Sequence, residues 1–252
     1  MDIKEALQTF RIIFSIPLPD SLHFVFMGQT ISSIDINETV VISWVVMLLL
    51  IGASLILTRK LRTVPRGMQV FLEAAVEFCT NFSRQYFGRR ASLYGPYIGT
   101  VFLFILCANI IPIISPLSLP LFGIEAPFEI RPPTRDINLT AALAVLSILL
   151  VLFGGLKARG LRGWAAKLVQ PVPMMAPFNI LEYIIRPVSL CLRLFGNILG
   201  GLIIMLLVEL ALPIPLLIPA ALSLYFDLFD GLIQAVVFSF LTTLFISEAI
   251  EE

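Results

Sequence analysis

Charge is scarce in this chain: Asp, Glu, Lys and Arg make up 13% of its 252 residues, against about 25% in a soluble domain. A water-exposed globular surface cannot be covered with so little polarity. Hydrophobic residues make up 58% instead, and the mean hydropathy is +0.97. Seventeen basic and seventeen acidic residues cancel, so net charge points to no nucleic acid partner. Cysteine is sparse too. Cys79, Cys107 and Cys191 stand far apart, two of them inside apolar runs, which fits neither a disulfide framework nor a metal knuckle; they read as small apolar core residues. The single histidine, His23, has no second histidine to share a metal with and reads as interfacial. No metal or cofactor site is expected. The opening MDIKEALQTFRIIFSIPLPD mixes charge into a short apolar stretch and shows no small-residue cleavage site, so it does not read as a secretory signal.

What the chain has in abundance is long apolar runs. A spanning helix needs roughly 20 mostly apolar residues, and the stretches Val40 to Leu57, Tyr97 to Ile114, Leu139 to Leu156, Ile180 to Leu210 and Ile218 to Glu248 meet that need. The last two are long. Some 30 helical residues rise about 45 Å, so in a bilayer core of about 30 Å they must tilt strongly or protrude. Residues 69–88 carry Val70, Ala74, Phe78 and Phe82 at steps of four, with Glu73, Glu77 and Arg84 on other faces. That pattern describes an amphipathic helix lying on the membrane. The expected fold is an all-α membrane protein of five transmembrane helices plus one interfacial helix, forming a single domain. Within it, residues 1–38 make an N-terminal segment and residues 39–252 the membrane region.

Lys and Arg are retained in cytoplasmic loops. They gather after the first span (Arg59, Lys60, Arg62, Arg66, Arg84, Arg89, Arg90) and after the third (Lys157, Arg159, Arg162, Lys167). Those sides are expected in the cytoplasm, which places the N-terminus outside and the C-terminal Glu248, Glu251 and Glu252 inside.

Two arginines remain within an apolar run. An arginine at the bilayer centre costs at least about 2.5 kcal/mol. Arg186, beside Pro187, lies near enough to the cytoplasmic end to snorkel to water; Arg193 lies deeper. On a helix, Glu182, Arg186, Ser189, Arg193, Asn197 and Gly200 follow at steps of three or four, and in the next segment Ser223, Asp227, Asp230 and Gln234 do the same. Each helix therefore presents one polar stripe. Such groups can simply satisfy one another inside a bundle. An arginine facing carboxylates within hydrocarbon also marks an ion path, and Gly196, Gly200 and Gly201 would let another helix come close to it. Pro213 and Pro215 disfavour continued helix, so the two segments should form an antiparallel hairpin turning near residue 214. Positions equidistant from that turn share a depth. Arg193 then meets Gln234, Asp230 falls beside Asn197 or Ile198, and Asp227 falls beside Gly201.

The run RPVSLCLRLFGNILGG, Arg186 to Gly201, resembles the signature of subunit a of F-type ATP synthases, and ANIIP at 108–112, PPTRDINLTAALA at 132–144 and LIQAVVFSFLT at 232–242 agree in order. The resemblance covers the chain from about residue 40 onward. It implies a stator subunit that is not itself an enzyme and moves protons, or in the alternative sodium ions, between two offset half-channels. Its implied partners are the c-ring proteolipid, the peripheral-stalk b subunits, the rest of the synthase and membrane lipid, in a bacterial plasma membrane. Arg193 corresponds to the essential arginine and Gln234 to the glutamine of the last helix. Asp227 corresponds to the group lining the external half-channel, with Asp230 an additional member. Asn197 would orient polar neighbours, and Glu182 and Ser189 would line the cytoplasmic path or, equally, serve a capping role near Pro187. Some members carry Glu or His nine residues after the arginine, where this chain has Leu202; that departure throws more of the outer path onto Asp227 and Asp230. On the residues alone, two other classes compete: a secondary transporter, which internal repeats would support, and a non-conducting anchor subunit whose arginine is structural.

Overall fold

The computed structural model describes residues 12–17, 24–26, 29–31, 33–59, 61, 64–118, 132–169, 173–211, 222 and 224–250. The loop around 119–131, the turn near residue 214, Ser223, His23, Glu251 and Glu252 lie outside the described residues.

Residues before the first span form two small antiparallel pairs, which the apolar-run pattern did not assign. β1 (Ile12–Pro17) pairs with β4 (Ser33–Asn37), and β2 (Phe24–Phe26) pairs with β3 (Gln29–Ile31). The β4 run SIDIN alternates polar residues with isoleucine, the period-two signature of a strand.

From Glu38 onward the described chain is helical apart from short connections. α1 spans Glu38–Thr58 and α2 spans Met68–Phe87. α3 spans Ala91–Ser118, α4 Ile137–Val169, α5 Ala176–Ala211 and α6 Gly231–Ile250. Among the described residues, five stretches are long and apolar enough to cross a membrane: Glu38–Thr58, Met68–Ile111, Ile137–Val169, Pro173–Met205 and Leu228–Ile250. The second joins α2 to α3 through the short turn Gly88–Arg90.

That turn decides where the amphipathic helix goes. Gly88 has φ +53°, a backbone conformation open mainly to glycine, and it folds α2 back along α3. Gly95 then lies against Ser83 and Gly99 against Cys79. Val70, Phe71, Val76 and Phe78 stay exposed on the outer side of α2, while Ser83 and Phe87 are buried. A second positive-φ glycine, Gly160 (φ +71°), kinks α4 among its basic residues.

The four helices α3 to α6 form the bundle, with α1 packed on α3. One buried cluster joins Val46 of α1, Val101, Phe104 and Ile105 of α3, Ala144 of α4, Leu190, Cys191 and Leu194 of α5, and Ala235 and Phe238 of α6. A second joins Phe87, Tyr94, Ile98, Val151, Ile246 and Ile250 towards the C-terminal end of α6. Lipid offers no hydrophobic drive for helices to associate, so close approach through small residues and hydroxyls does this work. Ser239, Thr242, Thr243 and Ser247 line the buried side of α6, Gly154 meets the Tyr94 hydroxyl, and Gly155 meets Ala249. The tightest approach is Gly231, where an added Cβ would lie 2.7 Å from the Asn109 Cβ. Replacing Gly231 with Ala should therefore destabilise the protein by about 1–3 kcal/mol through overpacking. The checks are its amount in membranes and the thermal midpoint of the purified protein.

Candidate functional site

α5 is long because nothing within it stops a helix except Pro187, which removes one backbone donor without ending the run. Its inner side is apolar: Leu190, Cys191 and Leu194 are buried. Arg193 therefore points the other way and is exposed on the outer face of the bundle. Among the described residues it makes no ion pair and no hydrogen bond. An open groove lined by Ile184, Ile185, Val188, Ser189, Leu192 and Arg193 runs along this face. Asn197 is exposed one turn further on, and a Cβ added at Gly196 or Gly200 would meet nothing within 4 Å. The arginine thus stands on a strip of helix whose backbone can be approached closely.

The facing polar stripe has a different local geometry from the one its spacing suggests. Leu224–Asp230 is a π-helical turn that holds Asp227 and Asp230, and the regular α-helix begins at Gly231. Such turns carry more residues per turn than an α-helix and recur at functional sites. Gln234 is 3% exposed, and its Nε2 donates to the Asp230 Oδ1 at 3.4 Å. No bond links Gln234 to the Arg193 guanidinium among the described residues, because the glutamine is turned into the bundle and the arginine out of it.

The expected register between α5 and α6 is visible without the turn. Gly201 packs on the ring of Phe226, with an added Cβ only 3.1 Å from Phe226 Cδ1. That puts Gly201 beside the position before Asp227. Deeper along the pair, Leu194 shares a buried cluster with Ala235 and Phe238. The structure therefore brings Arg193 and the Asp227–Gln234 segment to neighbouring depths, on helices that touch.

Glu182 lies elsewhere than the groove. The Arg186 Nη2 donates to Glu182 Oε1 at 2.6 Å and to Glu248 Oε2 at 2.8 Å, so Glu182 sits in an ion-paired cluster with the last turn of α6. Ser189 does line the groove with Arg193.

Two residues that the sequence carries inside quoted stretches, with no role of their own, join the other end of the site. Asn109 of α3 is buried against Gly231, and its Oδ1 accepts a 2.5 Å bond from Thr134 Oγ1. The stretches 108–112 and 132–144, quoted separately above, are thus bonded to each other beside the π-helical turn. Asp136 caps the start of α4, accepting from the Asn138 backbone N–H and side-chain amide at 2.9 and 3.0 Å.

The chain is similar to known proteins over most of its length. A family model described as "ATP synthase A chain" matches residues 40–247. A protein of Propionigenium modestum named "ATP synthase subunit a, sodium ion specific" is 36% identical over 249 residues, which cover 95% of this chain and 84% of the relative.

The closeness of Gly201 to Phe226 makes the helix pair testable. An added Cβ at 201 lies 3.3 Å from the Phe226 Cβ, close to the disulfide range of about 3.5–4.5 Å. In a background lacking Cys79, Cys107 and Cys191, Gly201→Cys with Phe226→Cys should cross-link on oxidation. Gly196→Cys with Phe226→Cys should not, as judged by gel mobility with and without reductant.

Proposed function

The chain belongs to the ATP synthase A chain family, and from that premise we propose that it carries protons between two offset half-channels that meet at Arg193, where the arginine faces the c-ring. The subunit is a non-catalytic membrane component of the synthase. The observation that carries the finer reading is the position of Arg193. A guanidinium on the outside of a spanning helix, unpaired within the described subunit and flanked by open glycine backbone, is placed to meet an anion brought by another chain.

In this reading each c-subunit presents a carboxylate that stays neutral while it faces lipid, since a bare charge there is too unfavourable. Opposite Arg193 it meets a fixed positive charge, which favours its ionised form, and its ion departs by one half-channel. Rotation past the arginine returns it to the other half-channel, where it is reloaded. The same positive charge repels cations that would otherwise leak straight through. Asp227 and Asp230 serve the external path, with Gln234 orienting Asp230 and Asn197 orienting polar groups beside the arginine. Ser189 lines the cytoplasmic approach, while Glu182 is held by Arg186 outside the groove. Residues 39–252 act as one membrane domain in a bacterial plasma membrane, with the first 38 residues outside and the C-terminus in the cytoplasm. The c-ring and the peripheral-stalk b subunits are the direct neighbours.

Sodium as coupling ion is the second reading, favoured by the sodium specificity in the name of the Propionigenium modestum relative. Hydrolysis by the whole complex at high pH, with and without added sodium, separates the two: stimulation by sodium would replace protons as the coupling ion.

Arg193→Ala in the assembled complex should abolish ATP-driven pumping and ATP synthesis, while normal synthesis would defeat the assignment. Asp227→Asn should slow pumping more than Asp230→Asn, and the double variant should nearly stop it. Inverted-membrane pumping assays check both, with full activity of the double variant placing the external path elsewhere.

A further inference from the structure

The ion-transfer reading uses Arg193 but not the second arginine of α5, and the structure gives Arg186 unusually firm surroundings. Its side chain is 11% exposed. Nη2 bridges Glu182 Oε1 at 2.6 Å on its own helix and Glu248 Oε2 at 2.8 Å on α6, and Nε adds a 3.2 Å bond to Glu182. The guanidinium carbon lies 4.7 Å from the centre of the Phe245 ring, on the same α6 face. Isolated surface ion pairs contribute little, and Glu182 and Glu248 are about half exposed, at 55% and 51%. Here, however, the acceptor helix end is itself immobilised. The Glu248 carbonyl accepts from Lys167 of α4 at 2.6 Å, and the Ile250 carbonyl accepts from Arg90 at the α2–α3 turn at 2.8 Å. Ser247 donates to the Tyr86 carbonyl of α2 at 3.0 Å. Cations at a helix C-terminus also complement its dipole. Glu248 is therefore a fixed point to which several helices are tied.

Arg193 lies between two attachments of α5 to the helix that carries the carboxylates. Arg186 is seven residues before it and Gly201, seated on Phe226, is eight after it, or about 10 Å and 12 Å along the axis. Directly beside the first attachment, Pro187 cannot bond the carbonyl of residue 183. The helix is thus softest where the ion pair grips it.

We propose that Arg186 and Glu248, with Glu182 as the second carboxylate, are positioning residues that fix the depth and rotation of Arg193. The proposal rests on the ion-transfer role of Arg193 stated above. Glu248 holds Arg186, Arg186 holds α5 against α6, and the pair with the Gly201 contact sets the height at which Arg193 meets its anion. Misplacing a reacting group by about 1 Å can reduce a rate on the order of 100-fold. A loosened fastening that leaves the helix partly in place should have a smaller effect, about tenfold on the same scale.

The test is made in the whole ATP synthase. Glu248→Gln and Arg186→Gln should each lower the ions pumped per ATP hydrolysed by about tenfold, with subunit a present in normal amount in the isolated complex. Glu248→Asp, which keeps the charge, should recover most of the loss. The exchange Arg186→Glu with Glu248→Arg, which keeps one cation between two carboxylates, should pump better than either of its single changes. Unaltered coupling in either Gln variant overturns the proposal, as does a loss that only follows the amount of subunit, or an exchange no better than its singles. Arg193→Ala is run alongside. If it pumps normally, the ion-transfer reading itself has failed; if it is inactive while Glu248→Gln is normal, only the fastening has failed.

Discussion

A positive charge in a membrane-spanning helix has to reach water, meet an anion, or be neutralised, and the bundle treats its two buried-segment arginines in opposite ways. Arg186 receives both Glu182 and Glu248. Arg193, two turns along the same helix, receives neither and is turned outward. The two share one side of α5, seven residues apart, and differ in what lies beside them: Glu248 at the end of α6 meets Arg186, and no described carboxylate pairs with Arg193. Among the described residues, the one arginine is satisfied within the bundle and the other is not.

The remaining architecture serves to hold that outer face still. Hydrophobic burial cannot do so in lipid, and the bundle instead uses positions where one helix's backbone admits a side chain from another segment: Gly201 under Phe226, Gly231 under Asn109, Gly154 under Tyr94. Each such contact is short-ranged, and at Gly231 an added methyl would force a shift, so these contacts specify register as well as proximity. Hydroxyls of Ser239, Thr242, Thr243 and Ser247 add polar surface along the buried side of α6.

Much of this was legible from the amino-acid order because the bilayer imposes so strong a rule. A run of roughly 20 apolar residues has few soluble explanations, and an arginine inside one calls for a reason. The spans, the polar stripe on α5 and the depth relation between α5 and α6 followed from counting. Other features depend on backbone states or distant pairings that periodicity does not encode. The fold-back of α2 hinges on the positive φ of Gly88. The strand pairs before Glu38 are too short to stand out from an irregular segment. Glu248 reads as a charge at a helix end until the fold sets it beside Arg186, 62 positions earlier in the chain. Asn109 and Thr134 are likewise joined across 25 positions by a bond that neither stretch announces.

The π-helical turn at Leu224–Asp230 breaks the angular phase of a segment that would otherwise be one continuous helix. Closing each bond over five residues instead of four acts like a residue inserted into the winding. Below it, Gly231, Gln234, Ser239 and Thr242 keep the angular setting that buries them. Asp227 and Asp230 lie within the turn itself, on backbone wound differently from that of the packed residues. The turn works as a phase shift within one segment: the packed end keeps the setting its neighbours impose, while the backbone that carries the two carboxylates follows another winding.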